Sequence, residues 1–202
     1  MGSHASIARE TGPELSRELA RAGAILTGAI SLAVLAAWWL VWSPTALRVL
    51  RLTDYPSPQA ALGLLLCSTS LWLQMRRRRG RALRLAGVAV GAVALALGAV
   101  AQGEWVLDRE LGLSGLLASE AARAAVPGFT GRMSHGGSAL LVLLGVSSIM
   151  HGARPGWRIL ITSVCTPLAL FLSLVAVLGF AFSVPNDSEF WGTAGMAIPT
   201  SL

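Results

Sequence analysis

Five long apolar segments, separated by short polar loops, constrain this chain more than any other feature of its sequence. They lie at residues 22–42, 60–75, 85–103, 138–151 and 159–182. Lipid offers no partners to backbone polar groups, so continuous apolar runs near bilayer length cross a membrane as α-helices. The two shorter runs reach that length when uncharged residues at their starts are included. The predicted fold class is all-α: a polytopic transmembrane helix bundle with five spans.

The composition agrees with a lipid environment. Hydrophobic residues make up 54% of the chain and charged residues only 13%, whereas soluble domains carry about 25% charged residues. The net charge of +6 can indicate nucleic-acid binding, but here the arginines follow the loops between the apolar segments. We therefore predict the lipid bilayer as the principal partner and no nucleic acid.

The first apolar segment follows a polar stretch, residues 1–21, which we interpret as a cytoplasmic N-terminal segment. This stretch is expected to hold a short helix of its own, capped near Thr11 or Ser16. A signal peptide is the alternative for the segment that follows. That segment is long for a signal peptide, and it ends in Trp38, Trp39 and Trp42 rather than in small residues. We interpret it as a retained helix that opens a transmembrane domain over residues 22–202.

Arginine placement predicts the orientation, because Lys and Arg are retained on the cytoplasmic side during insertion. With the N-terminus inside, eleven of the sixteen arginines are cytoplasmic, and seven of the ten acidic residues lie on the opposite side. The absence of lysine is typical of a GC-rich bacterial genome. The predicted location is the bacterial cytoplasmic (inner) membrane, with a cytoplasmic N-terminus and several crossings.

Three similar short segments precede helices that run in the same direction. They are residues 56–62 (PSPQAAL), 133–139 (MSHGGSA) and 196–202 (MAIPTSL). Pro, Ser and Thr suit the first turn of a helix, so each segment can be a simple helix start. Their recurrence predicts repeated helical hairpins: two complete ones and half of a third, with the start of a sixth span at the end of a domain truncated at its C-terminus.

These segments carry a resemblance to a family. The pattern Met-x-Pro-x-Thr-Ala-Leu before an apolar run resembles the membrane-embedded N-terminal sensor region of bacterial sensor histidine kinases and diguanylate cyclases. Residues 104–113 and 127–134 resemble the outer linker of such regions, and the similarity covers roughly residues 22–202. Two departures are visible: His135-Gly136-Gly137 replaces Pro-x-Thr, and Pro56 stands where Met is usual.

The resemblance implies a sensory or regulatory module in signal transduction, such as a two-component system. It would relay a stimulus to a cytoplasmic output domain absent from these 202 residues, and a sensor kinase would be a homodimer. Whether the whole protein is an enzyme stays open, because no catalytic arrangement can be assembled from this chain. The alternatives are a small-solute permease or channel subunit, and a structural membrane protein.

The longest loop, residues 104–137, is the predicted place for stimulus recognition, because long loops often carry function. It is expected to form a short surface helix over residues 106–125. The candidate stimulus or ligand residues are Trp105, Asp108, Arg109, Arg132 and His135. The simpler alternatives are local charge pairing and, for His135, a boundary residue with no special role.

Small residues inside the spans are predicted to serve packing. Gly87, Gly91 and Gly98 lie on one helix at spacings that would let another helix approach closely. Cys67 and Cys165 are expected to be packing residues rather than a disulfide. His135 and His151 lie near opposite membrane faces and cannot share a metal or haem, so no metal, cofactor or catalytic residue is predicted.

Overall fold

The computed structural model describes residues 4–40, 57–75, 80–107, 109, 112, 117, 133–150 and 155–181. These segments form five α-helices and no strand: α1 His4–Leu40, α2 Pro58–Met75, α3 Arg81–Val106, α4 His135–Met150 and α5 Pro155–Ala181. For this part of the chain the all-α prediction is confirmed.

The N-terminal segment does not form a separate helix. Helix α1 runs without interruption from His4 to Leu40, so the predicted helix start near Thr11 or Ser16 is wrong. The segment is rich in Ala, Leu, Arg and Glu, which are strong helix formers. The helix therefore continues from the polar residues into the apolar ones.

Helices α2 and α4 begin in the same way. The Ser57 hydroxyl oxygen accepts the backbone N–H of Ala60 at 3.3 Å, and the Ser134 hydroxyl oxygen accepts that of Gly137 at 3.1 Å. Each serine thus satisfies an amide that has no partner within the helix. The first two repeated segments are confirmed as helix starts with equivalent capping, and the third lies outside the described residues.

Each helix packs against its neighbours in the chain, and α2 also contacts α4. Helices α2 and α4 run in one direction while α1 and α3 run in the other. The buried centre is formed by one or two residues from each of α2, α3 and α4 and by Met133, two residues before α4: Cys67, Ala94, Ala101, Met133 and Leu141. Most of these side chains are modest in size, which keeps the three helices close.

Glycines mark the tightest helix contacts. A Cβ atom added to Gly145 of α4 would lie 2.7 Å from the Leu95 Cα atom of α3. The three glycines predicted to serve packing lie at such contacts: Gly87 faces α2, Gly98 faces α4, and Gly91 lies against both. Close backbone approach at small residues is characteristic of helix pairs in membranes.

Two of the described helical stretches are long and apolar enough to cross a bilayer, Glu18–Trp39 and Arg81–Val106. A core helix of a soluble protein meets the same criteria of length and composition, as does a signal sequence near an N-terminus. The arrangement of five crossings therefore stays a prediction.

We expect Gly145→Ala to destabilise the chain, because its methyl group would meet the backbone of Leu95 and force α3 and α4 apart. Overpacking of this kind costs about 1–3 kcal/mol. The matched control is Gly103→Ala, since a Cβ atom there meets nothing within 4 Å and Ala favours a helix over Gly by about 1 kcal/mol. The free energy of unfolding, followed by circular dichroism during SDS titration in detergent, measures both. Equal losses in the two variants would contradict the packing role.

Candidate functional site

Two clusters of buried and half-buried polar groups connect α2, α3 and α4, one near each end of the helices. The first, which we call the His135 cluster, consists of Gln59, Gln102, Trp105, His135 and Ser138. The second, the Gln74 cluster, consists of the side chains of Ser70 and Gln74 with the backbone carbonyls of Gly87 and Ser148.

The helix period places the members of the His135 cluster together. Gln102 and Trp105 are three residues apart in the last turns of α3, and His135 and Ser138 are three residues apart in the first turn of α4. Residues at this spacing share one face of a helix. Because α3 and α4 are antiparallel and in contact, the two faces meet.

Trp105 and His135 form the aromatic part of the cluster. Their rings are stacked, with centroids 4.9 Å apart and an interplanar angle of 22°. The Trp105 Nε1–H group also donates to the backbone carbonyl of Met133 at 2.7 Å. The indole therefore holds both the His135 ring and the segment that leads into α4.

Gln102 connects His135 to Ser138. The Gln102 Nε2 atom lies 3.0 Å from His135 Nδ1, and the Ser138 hydroxyl donates to Gln102 Oε1 at 2.5 Å. The same hydroxyl oxygen lies 2.9 Å from the carbonyl oxygen of His135. Ser138 is fully buried, whereas Gln102 and His135 are half-buried.

Gln59 links the two repeated helix starts. It is fully buried in the first turn of α2, and its Oε1 atom accepts the backbone N–H of Met133 at 3.1 Å. Its Nε2 group has no hydrogen-bond partner among the described residues. The peptide groups flanking Met133 are thus held by Gln59 of α2 on one side and Trp105 of α3 on the other.

Glu104 is a buried carboxyl group close to this cluster along α3. Its exposed fraction is 1%, whereas the sequence placed it in an outer loop. Helix α3 continues to Val106, beyond the predicted end at residue 103, and Glu104 follows Ala101 and Leu97 on the side that packs into the core. The predicted loop boundary was wrong because the packed face extends past the last apolar run.

The structure brings together two of the five predicted stimulus residues, Trp105 and His135. Arg109 is exposed, and its backbone N–H donates to the carbonyl of Glu104 at 3.2 Å. Asp108 and Arg132 lie outside the described residues.

The surface helix predicted over residues 106–125 is wrong at its start. Val106 belongs to α3, which Leu107 terminates, and Gly112 has a positive φ of 83°. That backbone conformation favours glycine and does not occur within a right-handed helix. Most of the remaining predicted range lies outside the described residues.

Three members of the His135 cluster were not predicted from the sequence as site residues: Gln59, Gln102 and Ser138. A signal was available for two of them. Gln102 precedes Trp105 by three residues and Ser138 follows His135 by three, so each shares a helix face with a predicted candidate. Gln59 had no such signal, because its partner Met133 is distant in sequence.

The Gln74 cluster joins the same helices near their opposite ends. The Ser70 hydroxyl donates to the Gly87 carbonyl at 2.7 Å, and Gln74 Nε2 donates to the Ser148 carbonyl at 2.9 Å and to the Ser70 hydroxyl at 3.0 Å. Gln74 is 1% exposed and Ser70 fully buried. This cluster ties the backbones of α3 and α4 to α2 and serves structure.

Comparison with protein-family profiles, curated proteins and solved structures gives no match to this chain. Within the described segments, no group of three or more His, Cys, Asp or Glu side chains is placed to hold a metal ion. Function must therefore be argued from the helix arrangement and from the His135 cluster.

We expect Trp105→Phe to lower the free energy of unfolding by about 1 kcal/mol, the usual worth of a hydrogen bond. The substitution retains an aromatic ring against His135 and removes the N–H group that binds the Met133 carbonyl. Trp39→Phe is the matched control, because Trp39 is 61% exposed. Unfolding in detergent compares the two variants, and a loss confined to Trp39→Phe would contradict the assigned bond.

Proposed function

We propose that this chain is the membrane-embedded sensory module of a bacterial signal-transduction protein, and that it relays a stimulus to a cytoplasmic output domain. In this proposal the chain crosses the cytoplasmic membrane several times, and its arginine-rich end, with Arg21, Arg81 and Arg84, faces the cytoplasm. The His135 cluster at the other end takes part in receiving the stimulus.

Exposed apolar surface supports the membrane location. Only 17% of the apolar window of Glu18–Trp39 and 22% of that of Arg81–Val106 are buried within the protein, whereas a soluble core helix would be mostly covered. Large apolar side chains remain exposed on α5 as well, including Leu170 and Phe171. Soluble monomers rarely expose contiguous apolar surface on this scale, and lipid would cover it.

Contacts at the arginine-rich end support the proposed orientation. Arg21 of α1 donates to the carbonyl of Met75, the last residue of α2, at 3.3 Å and pairs with Glu18 at 2.6 Å. A cationic side chain at the C-terminus of a helix binds the free carbonyl groups there and interacts favourably with the helix dipole. Arg81 and Arg84 begin α3 on the same side, which makes this the end that insertion would retain in the cytoplasm.

The observation that carries the sensory role is the junction at the opposite end. There the two serine-capped helix starts meet through Gln59 and Met133, and α3 joins them through Trp105. The segments that resemble the outer linker of sensor kinases, residues 104–113 and 127–134, contribute Trp105 and Met133 to this junction. A stimulus acting on that linker would thus act directly on the contacts among α2, α3 and α4.

Reporter fusions after Arg84 and after Val126 test the orientation. We expect cytoplasmic reporter activity at Arg84 and external activity at Val126, because the arginine-rich loop between α2 and α3 resists translocation. Alkaline phosphatase and green fluorescent protein fusions give opposite signals at each position and so control for expression. The reverse pattern would refute the orientation.

The complete gene tests the sensory role against a permease. A cytoplasmic kinase or cyclase domain encoded after residue 202, with activity that changes when the His135 cluster is altered, is the expected result. Proteoliposomes containing the whole protein provide the counter-test, read by osmotic swelling in small neutral solutes. Rapid swelling that requires the protein, without an output domain, would favour the permease instead.

A further inference from the structure

We propose that the His135 cluster binds a proton, and that protonation of His135 reverses the direction of the hydrogen bonds linking His135, Gln102 and Ser138. The signalling consequence rests on the proposed sensory function, for which it names the stimulus as a change in pH at the His135 end of the helices. The proton-binding site itself rests only on the geometry of these three residues.

The contacts allow one consistent hydrogen-bond direction when His135 is neutral. Ser138 has a single hydroxyl proton, and the 2.5 Å contact directs it to Gln102 Oε1. The Gln102 amide therefore presents its Nε2–H group to His135 Nδ1 at 3.0 Å. In this state Nδ1 is the acceptor nitrogen and the ring proton resides on Nε2.

Protonation makes both ring nitrogens donors, which places two N–H groups against each other at the Gln102–His135 contact. A half-turn of the Gln102 amide about its last side-chain bond removes that conflict. Gln102 Oε1 then accepts from Nδ1–H, and Nε2–H donates to the hydroxyl oxygen of Ser138.

The reversed state leaves the Ser138 hydroxyl proton without its former acceptor, but a second one is already in place. The carbonyl oxygen of His135 lies 2.9 Å from the hydroxyl oxygen, so the proton can rotate to it. Each of these contacts then pairs a donor with an acceptor in both directions, once the 2.5 Å contact between Gln102 and Ser138 lengthens to the distance of an N–H···O bond. Histidine is the side chain suited to such a switch, because it exchanges its proton near neutral pH.

The ring of His135 stacks on Trp105 and lies in the first turn of α4. Among the described residues near this end, the charged groups are Glu104 of α3 and Arg109, which follows α3. Helix α2 contains no charged residue. The single charged residue of α5, Arg158, lies in its first turn, at the end of the helices opposite His135.

Protonation would therefore deliver a positive charge to the first turn of α4 while keeping its bonds to α3. That turn is continuous with Met133, which Gln59 and Trp105 hold. The charge thus appears at the junction of α2, α3 and α4. Because a cation is unfavourable at a helix N-terminus, it would destabilise the first turn of α4.

Nitrogen NMR of the whole chain in lipid nanodiscs tests the proposal. His4→Gln and His151→Gln leave His135 as the single histidine, and the ring and glutamine side-chain signals are followed from about pH 8 to about pH 5. We expect Nδ1 to change from unprotonated to protonated, and the Gln102 amide signals to shift with the same midpoint. Gln74, a buried amide in the second cluster, is the internal control and should not shift.

A further variant, His135→Asn, should abolish the pH-dependent shift of Gln102 while the control signal is retained. The proposal is overturned if the Gln102 signals stay constant while the His135 ring titrates, if Gln74 shifts equally, or if the ring does not titrate in this range. Since the measurement needs no output domain, it is independent of signalling. If the hydrogen bonds reverse but the output of the full-length protein does not respond to pH, pH is not the stimulus, and both the proton site and the proposed sensory function are left intact.

Discussion

The close approach of α3 and α4 is the constraint on which the remaining contacts depend. It exists because Gly145 lies against the backbone of Leu95 and Gly98 lies against Val142. At this separation the short side chain of Ser138 reaches Gln102, and the rings of Trp105 and His135 stack. Larger residues at these glycine positions would move α3 and α4 apart by more than the hydrogen bonds tolerate. Packing at the glycines therefore determines whether the contacts of the His135 cluster can form.

The two polar clusters then fix how the helices are aligned along their lengths. Apolar side chains of similar size would allow a helix to slide or rotate by small amounts, since their contacts have little direction. Hydrogen bonds from Gln74 to Ser148 and from Ser138 to Gln102 hold α4 near both of its ends. Buried hydrogen bonds left unmade are costly in a low-dielectric environment, so the clusters select a single alignment.

Hydropathy predicted the helices well because it sums over many residues. The starts of α2 and α4 were predicted from serines that suit the first turn of a helix. The same sums could not show that α1 begins at His4 or that Glu104 is buried, since both depend on neighbours rather than on local composition. Trp105 and His135 were found from their place beside the long loop. Gln59 was missed because its partner, the Met133 amide, is defined only by how α2 and α4 pack.

Comparison of the two helix starts indicates how a repeated element acquires a site. Ser57 and Ser134 cap their helices equivalently. The residues four positions after each cap, Ala61 and Ser138, are both buried. Directly after the cap, however, α2 has Pro58 and α4 has His135. Pro fixes the backbone at the first start, whereas His135 and the Ser138 hydroxyl give the second start two polar groups that contact Gln102. Two side-chain differences between equivalent helix starts are therefore enough to give the second start contacts with Gln102 that the side chains of Pro58 and Ala61 cannot make.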